Sequence, residues 1–316
     1  MDLTIQILTK NNQNQIAETI QSLKSLQADI VVNDLASKDK TVSVAEGLGA
    51  RILHHQSENR SEIRNRIVEE SNHQWQMFVE PGEVIIKGLE KISVNKKDAC
   101  YFSIITQGVL KKEIRLWNKE KKLLFKNPIF EFIDCKTAEL IPVFLNCDVI
   151  KTHDLKAIQA WQRAVPTHAA PYYYEALTRF SQGDIEGFMH VSEQYSFIEK
   201  NKNSISATMN YYYYALANLH QGKVRATLQN INLCLCANPL MAEFWCLIGD
   251  VYYHLLKDFD KAKSFYQNAI ILGSRRLNND KWPMEIAKYN QYPRQMIESC
   301  KQIIEYTNVY AVARNA

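Results

Sequence analysis

The 316 residues, 46% hydrophobic and 23% charged, have the composition of an ordinary globular chain with room for two domains, which excludes a disordered or fibrous protein. Basic residues exceed acidic ones by only four, too small an excess to point to nucleic acid. No apolar run approaches the roughly 20 residues that span a bilayer, and "MDLTIQILTKNNQ" lacks the basic start and cleavage site of a signal peptide, so a cytoplasmic location is expected.

In chain order, "LTIQIL" (3–8), "ADIVVND" (28–34), "ARILHH" (50–55) and "WQMFVE" (75–80) read as strands. Between them lie three helical segments. "NQIAETIQSLKSL" (14–26) sets Ile16, Ile20, Leu23 and Leu26 on one face, "KTVSVAEGLG" (40–49) ends on glycine, and "SEIRNRIVEES" (61–71) is the third. Such alternation predicts a mostly parallel sheet covered by helices. "ACYFSIIT", "KEIRLW" and "IPVFLNC", between 98 and 150, predict an antiparallel or mixed extension.

Beyond about residue 151 helical signals take over, with a repeat of about 34 residues. The copies at 208–239 and 242–273 align Tyr211 with Trp245 and Ala215 with Gly249, and Cys234 with Ala269 after a one-residue insertion in the second copy. A fainter copy starts near Ala169, where Ala176 and Gly183 are spaced like Ala215 and Gly222. The Trp245, Gly249, Tyr252, Ala262, Tyr266, Ala269 series resembles the tetratricopeptide repeat, a pair of antiparallel helices packed through small residues. Residues 276–316 are expected to cap the array.

In the first half, "ILTKNNQNQIAETIQSL", "IVVNDLASKDKTVSVAEGLGARI", the Arg-Asn pair of "SEIRNRIVEES" and "WQMFVEPGE" arrive in an order that resembles a family 2 glycosyltransferase, especially its bacterial branch with attached tetratricopeptide repeats. The resemblance covers about residues 3–135. It implies an α/β GT-A (Rossmann-like) nucleotide-sugar domain over 1–150, followed over 151–316 by an all-α tetratricopeptide-like solenoid. It also implies an inverting glycosyltransferase, with a nucleotide-sugar, expected to be a UDP-sugar, as donor.

A nucleotide sugar presents a base, a ribose diol and two anionic phosphates, so its site needs an acid for hydroxyl or base donors and a cation for the diphosphate. Asp34 ends the second strand and suits the first task, though "NDLASKDKT" also suits an ordinary turn or a helix cap. Thr9, Lys10 and Asn11 fall where the family places its base-binding turn. Arg64 has a fork that matches phosphate oxygens, with Asn65 beside it. The family's Asp-x-Asp-Glu metal motif corresponds to Glu80-Pro81-Gly82-Glu83, and its His-Glu pair to Phe130-Glu131. The resemblance thus implies a divalent metal, manganese or magnesium, at Glu80, while Gly82 and Phe130 remove a carboxylate and an imidazole that would help hold it. Either Glu80 keeps one metal position, or the cations of "KKEIRLWNKEKK" (111–122) neutralise the diphosphate, or the acidic stretch is a plain turn. Glu131 is the expected general base and Glu83 the second candidate.

His54-His55 has no partners at zinc-ligand spacing, and Cys234 and Cys236, two apart on a repeat helix, point in different directions. The seven cysteines sit in apolar surroundings, as reduced thiols do. The repeats suggest a protein or peptide acceptor held in their groove. The competing expectation is a glycosyltransferase-like scaffold that has lost catalysis.

Overall fold

Leu3–Thr9 (β1) is buried along its whole length, which only a central strand covered on both faces achieves. In the computed structural model, which describes residues 2–92, 98–147, 154–277 and 280–314, β1 is followed by α1 (Ile16–Leu23), β2 (Asp29–Asp34), α2 (Thr41–Gly47), β3 (Arg51–Leu53), α3 (Arg60–Glu70) and β4 (Trp75–Phe78). Next come β5 (Glu83–Lys87), β6 (Ala99–Thr106), β7 (Val109–Asn118), β8 (Phe125–Lys126), β9 (Phe132–Ile133) and β10 (Glu139–Cys147). The chain divides into two units, Met1–Lys151 and Thr152–Ala316. The boundary expected at 150–151 lies outside the described residues.

Within the first unit the strands run β3-β2-β1-β4-β7-β6-β10-β5. β2 and β4 both pair with β1 in parallel, β7 joins β4 antiparallel, and β10 lies parallel to β6. This is the mixed sheet that the sequence predicts. β5 is not among the predicted strands. It leaves the acidic turn after β4 and pairs antiparallel with β10 at the far edge. On one face, Leu3, Ile5, Ile7 and Met77 pack against Ile16, Ile20 and Leu23 of α1. On the other, Leu8 and Val31 pack against Ile63 and Ile67 of α3. Each such fully buried aliphatic side chain contributes about 1.5–3 kcal/mol.

The second unit is all-α. After α4 (Leu155–Ala164) come three antiparallel hairpins: α5 (Ala169–Ser181) with α6 (Ile185–Ile198), α7 (Ile205–His220) with α8 (Val224–Ala237), and α9 (Ala242–Asp250) with α10 (Phe259–Gly273). An α/β unit followed by a tetratricopeptide-like helical array is therefore the architecture. Gly183 and Gly222 end α5 and α7 at φ of 77° and 69°. In the third hairpin a widened π-type turn, Val251–Leu256, follows α9 and carries the one-residue insertion visible in the repeat alignment. Lys257, at φ 56°, thereby takes the place of the glycine. The last helix, α11 (Gln291–Arg314), covers the array's end by packing Ile297 and Cys300 on Ala262, Tyr266 and Ala269. No helix among the described residues is long and apolar enough to cross a membrane.

Candidate active site

The chain moves outward from β1 through β2 to β3, then crosses back to β4 on the other side of β1. Open α/β sheets bind ligands outside the carboxyl ends of strands at such a reversal. Thr9 and Asp34 are register partners at the ends of β1 and β2. The Leu35 amide donates to the Thr9 carbonyl at 2.8 Å. The loops after the two strands are laced together: the Asn11 amide donates to Ser37 Oγ at 2.8 Å, and the Lys38 amide returns a bond to Asn11 Oδ1 at 2.7 Å. Asn11 adopts φ 56°, which asparagine tolerates better than most residues. Thr9 Oγ1 donates to Asn12 Oδ1 at 3.0 Å, whereas Lys10 is exposed. Asp34 is 3% exposed and accepts from the Ser37 amide at 3.0 Å, with His54 Nδ1 4.0 Å away. Asp34 thus serves as a turn acceptor and not as a helix cap, since α2 starts only at Thr41 with Lys40 at its N-cap.

At the carboxyl end of β4, Glu80-Pro81-Gly82-Glu83 forms a tight turn closed by the Glu83 amide donating to the Glu80 carbonyl at 3.0 Å. Gly82 takes φ 89°, the value a type II turn requires at its third residue. Its amide donates to Thr19 Oγ1 of α1 at 2.9 Å, which ties the turn to the sheet's covering helix.

The carboxylates of this turn are held by arginines. Arg64, wholly buried on α3, donates Nη2 to Glu80 Oε1 at 2.5 Å and Nε to Glu131 Oε1 at 2.8 Å. Arg60, one helical turn earlier, donates Nε to both Glu131 oxygens at 3.0 and 3.2 Å and Nη2 to Glu80 Oε2 at 3.4 Å. Arg115 on β7 grips Glu83 with two bonds of 2.8 Å and also reaches Glu113. The Phe78 ring is flanked by the guanidinium groups of Arg64 and Arg115, 4.6 and 4.2 Å from its centroid. Burial pushes the Glu131 carboxyl up, but Arg64 and Arg60 outweigh it and hold the carboxyl below its usual value near 4.5. Burial opposes the charge on Arg60 as well, and Glu80 and Glu131 more than offset that, so its pKa is raised.

The structure therefore brings Arg64, Glu80 and Glu131 into one cluster and sets Glu83 beside it, its Oε2 accepting from the Glu80 amide at 2.9 Å. Asn65 lies apart from that cluster. Its side chain bonds the Phe125 backbone twice, donating at 3.2 Å and accepting at 2.8 Å. Of the lysines proposed to face the diphosphate, Lys119 donates to backbone carbonyls of Glu69 and Ser71, and Lys121 pairs with Asp98. Trp75 pairs with Asn118 in the ladder, which sets these two lysines at the amino end of β4, opposite Glu80. Arg60 was missed in the sequence, and Arg115, one of the cations of 111–122, pairs with Glu83 rather than facing a diphosphate. A signal for Arg60 existed, since it precedes Arg64 by four residues and shares its helix face.

The donor set does not fit a divalent metal. Both Glu80 oxygens receive guanidinium bonds, Gly82 has no side chain, and Phe130 supplies no imidazole. Among the described residues no three histidines, cysteines or acids gather at metal-binding spacing.

No family model matches the chain. A stretch of 47 residues is 40% identical to an uncharacterized glycosyltransferase of Rickettsia conorii and 43% identical to one of Rickettsia felis. Each match spans 15% of this chain and 17% of the relative, so the chain spans about a sixth of the length of the curated relatives it matches. Among solved structures, MamA from Desulfovibrio magneticus RS-1 is 18% identical, over 51% of this chain and 84% of that one, with a TM-score of 0.37. Glucosyl-3-phosphoglycerate synthase from Mycobacterium tuberculosis is 13% identical, over 52% and 77%, with a TM-score of 0.37.

Proposed function

We propose that the first unit is a GT-A-type glycosyltransferase domain that takes a nucleotide-sugar donor, a UDP-sugar, and that the repeats recruit a protein or peptide acceptor in the cytoplasm. The observation that carries this reading is the pairing of Thr9 with Asp34 at the strand reversal, which sets a buried acid beside the loop after β1. The 47-residue likeness to glycosyltransferases supports it. Asp34 accepts hydrogen bonds from the nucleoside. Glu131, kept ionised by Arg60 and Arg64, is in the protonation state a general base needs, although the same cations lower its basicity. Transfer with inversion follows from a single displacement assisted by that base.

One observation favours a second reading. Glu80, Glu83 and Glu131 are all paired with arginines, as expected of a binding scaffold whose former catalytic carboxylates now hold the fold. Titration of the full chain with UDP and a panel of UDP-sugars, followed by a donor-hydrolysis assay, separates the two. Binding with hydrolysis supports the enzyme, and binding without it supports the scaffold. No stabilisation by any nucleotide sugar in a thermal-shift screen would sink both, because a ligand of the native state must raise its stability.

A further inference from the structure

The mismatch between the donor set and a divalent metal raises the question of what meets the diphosphate. Resting on the nucleotide-sugar reading, we infer that the Arg60 guanidinium does so in place of a metal, and that nucleoside-diphosphate binding by this chain is metal-independent.

Two guanidinium groups, one helical turn apart, serve the same two carboxylates, and they differ in access. The Arg64 side chain is 0% exposed, while that of Arg60 is 24% exposed. Arg64 holds one oxygen of each carboxylate at 2.5 and 2.8 Å. Arg60 makes the longer contacts, 3.0 and 3.2 Å to Glu131 and 3.4 Å to Glu80. Were Arg64 to leave, the cluster would lose its shortest bonds. Were Arg60 to turn to an incoming anion, Glu80 and Glu131 would each keep an Arg64 bond, so neither is stranded. The exchange is therefore inexpensive only at Arg60. A guanidinium fork also matches two phosphate oxygens in a plane, which a lysine ammonium does not. Arg115 cannot take this role, being 1% exposed and engaged twice by Glu83.

The test is calorimetric titration of the full chain with uridine and with UDP, in chelator and then in manganese, on the natural protein, Arg60→Met and Arg60→Lys. The expected result is that UDP binds about tenfold or more tightly than uridine in chelator, the effect of a charge-assisted contact. Arg60→Met is expected to bind uridine unchanged, which also shows its site is folded, and to lose the preference for UDP. Arg60→Lys is expected to keep part of it. A preference for UDP that survives in Arg60→Met in chelator assigns the diphosphate to another group and overturns the inference, as does a preference that exists only with manganese. If uridine and UDP both fail to bind under every condition, the nucleotide-sugar reading falls and this assignment with it.

Discussion

The buried guanidinium of Arg64 reaches Glu80 Oε1 at 2.5 Å across the gap between α3 and the end of β4, and with its Nε it holds Glu131 as well. One side chain thus fastens the helix, the acidic turn and the segment carrying Glu131. Removing one partner from such a buried cluster costs about 3–5 kcal/mol, because the remaining carboxylates lose their closest counter-charge and keep only the longer Arg60 contacts. Arg64→Met is expected to lower the urea midpoint accordingly. A loss below about 1 kcal/mol would mean that Arg60 alone satisfies both carboxylates.

Glu131 makes that cluster sensitive to acid. Its folded pKa lies below its unfolded one, so its contribution to stability is present above the unfolded value near 4.5 and is lost as pH falls through the folded value. Denaturant midpoints measured from pH 6 to pH 3 are expected to drop below about pH 4.5, and Glu131→Gln is expected to flatten that drop. An unchanged slope in the variant would assign the acid sensitivity to other carboxylates.

The opposite sign holds in the helical unit. Burial raises Glu243 to about 7, while its Oε1 accepts from the Glu285 amide at 2.7 Å and its Oε2 from the Tyr289 hydroxyl at 2.9 Å. A raised folded pKa gives stability that is full below the unfolded value near 4.5 and is lost as pH rises through the folded value. Between those limits the loss is on the order of 3 kcal/mol. Glu243→Gln is expected to keep the amide and hydroxyl partners and to abolish this decline, read as urea midpoints between pH 5 and pH 8. A decline of equal size in the variant would place its origin elsewhere.

What the sequence made legible was local. The α/β alternation followed from period-two and helical patterns, and the repeat spacing located the hairpins and showed that the second copy carries one extra residue, which the structure places at Val251–Leu256. β5 was not legible, because its edge position depends on pairing with β10, about 60 residues away in the chain. The arginine partners of Glu80, Glu83 and Glu131 were hidden for the same reason. Arg115 sits 32 residues from Glu83, and Arg64 sits 67 from Glu131. The acids can be read as a motif, but whether they are open to a ligand is settled only by what folds against them.

Close packing in the third hairpin depends on Gly249. A Cβ there would stand 2.6 Å from the Tyr266 ring, whose hydroxyl donates to Asp250 at 2.7 Å and so resists displacement. Gly249→Ala is expected to destabilise the chain by about 1–3 kcal/mol, the usual cost of overpacking. Thermal denaturation checks it, and an unchanged midpoint would show that the tyrosine moves aside freely.

The acidic turn supplies the last prediction. Gly82→Asp adds the second acid of the Asp-x-Asp pattern that this turn resembles, yet it places a side chain at φ 89°, where non-glycine residues are strained by about 1–2 kcal/mol. The new acid would still face a Glu80 whose two oxygens bond Arg64 and Arg60. One added ligand therefore does not assemble the several oxygens that a hard cation requires. The expected result is a small loss of stability and no tighter manganese binding in calorimetry with UDP present. Saturable manganese binding that appears in Gly82→Asp and disappears on adding Glu80→Gln would show that Glu80 leaves the arginines for a metal. In that event the cluster would be a resting state of a metal site rather than its replacement.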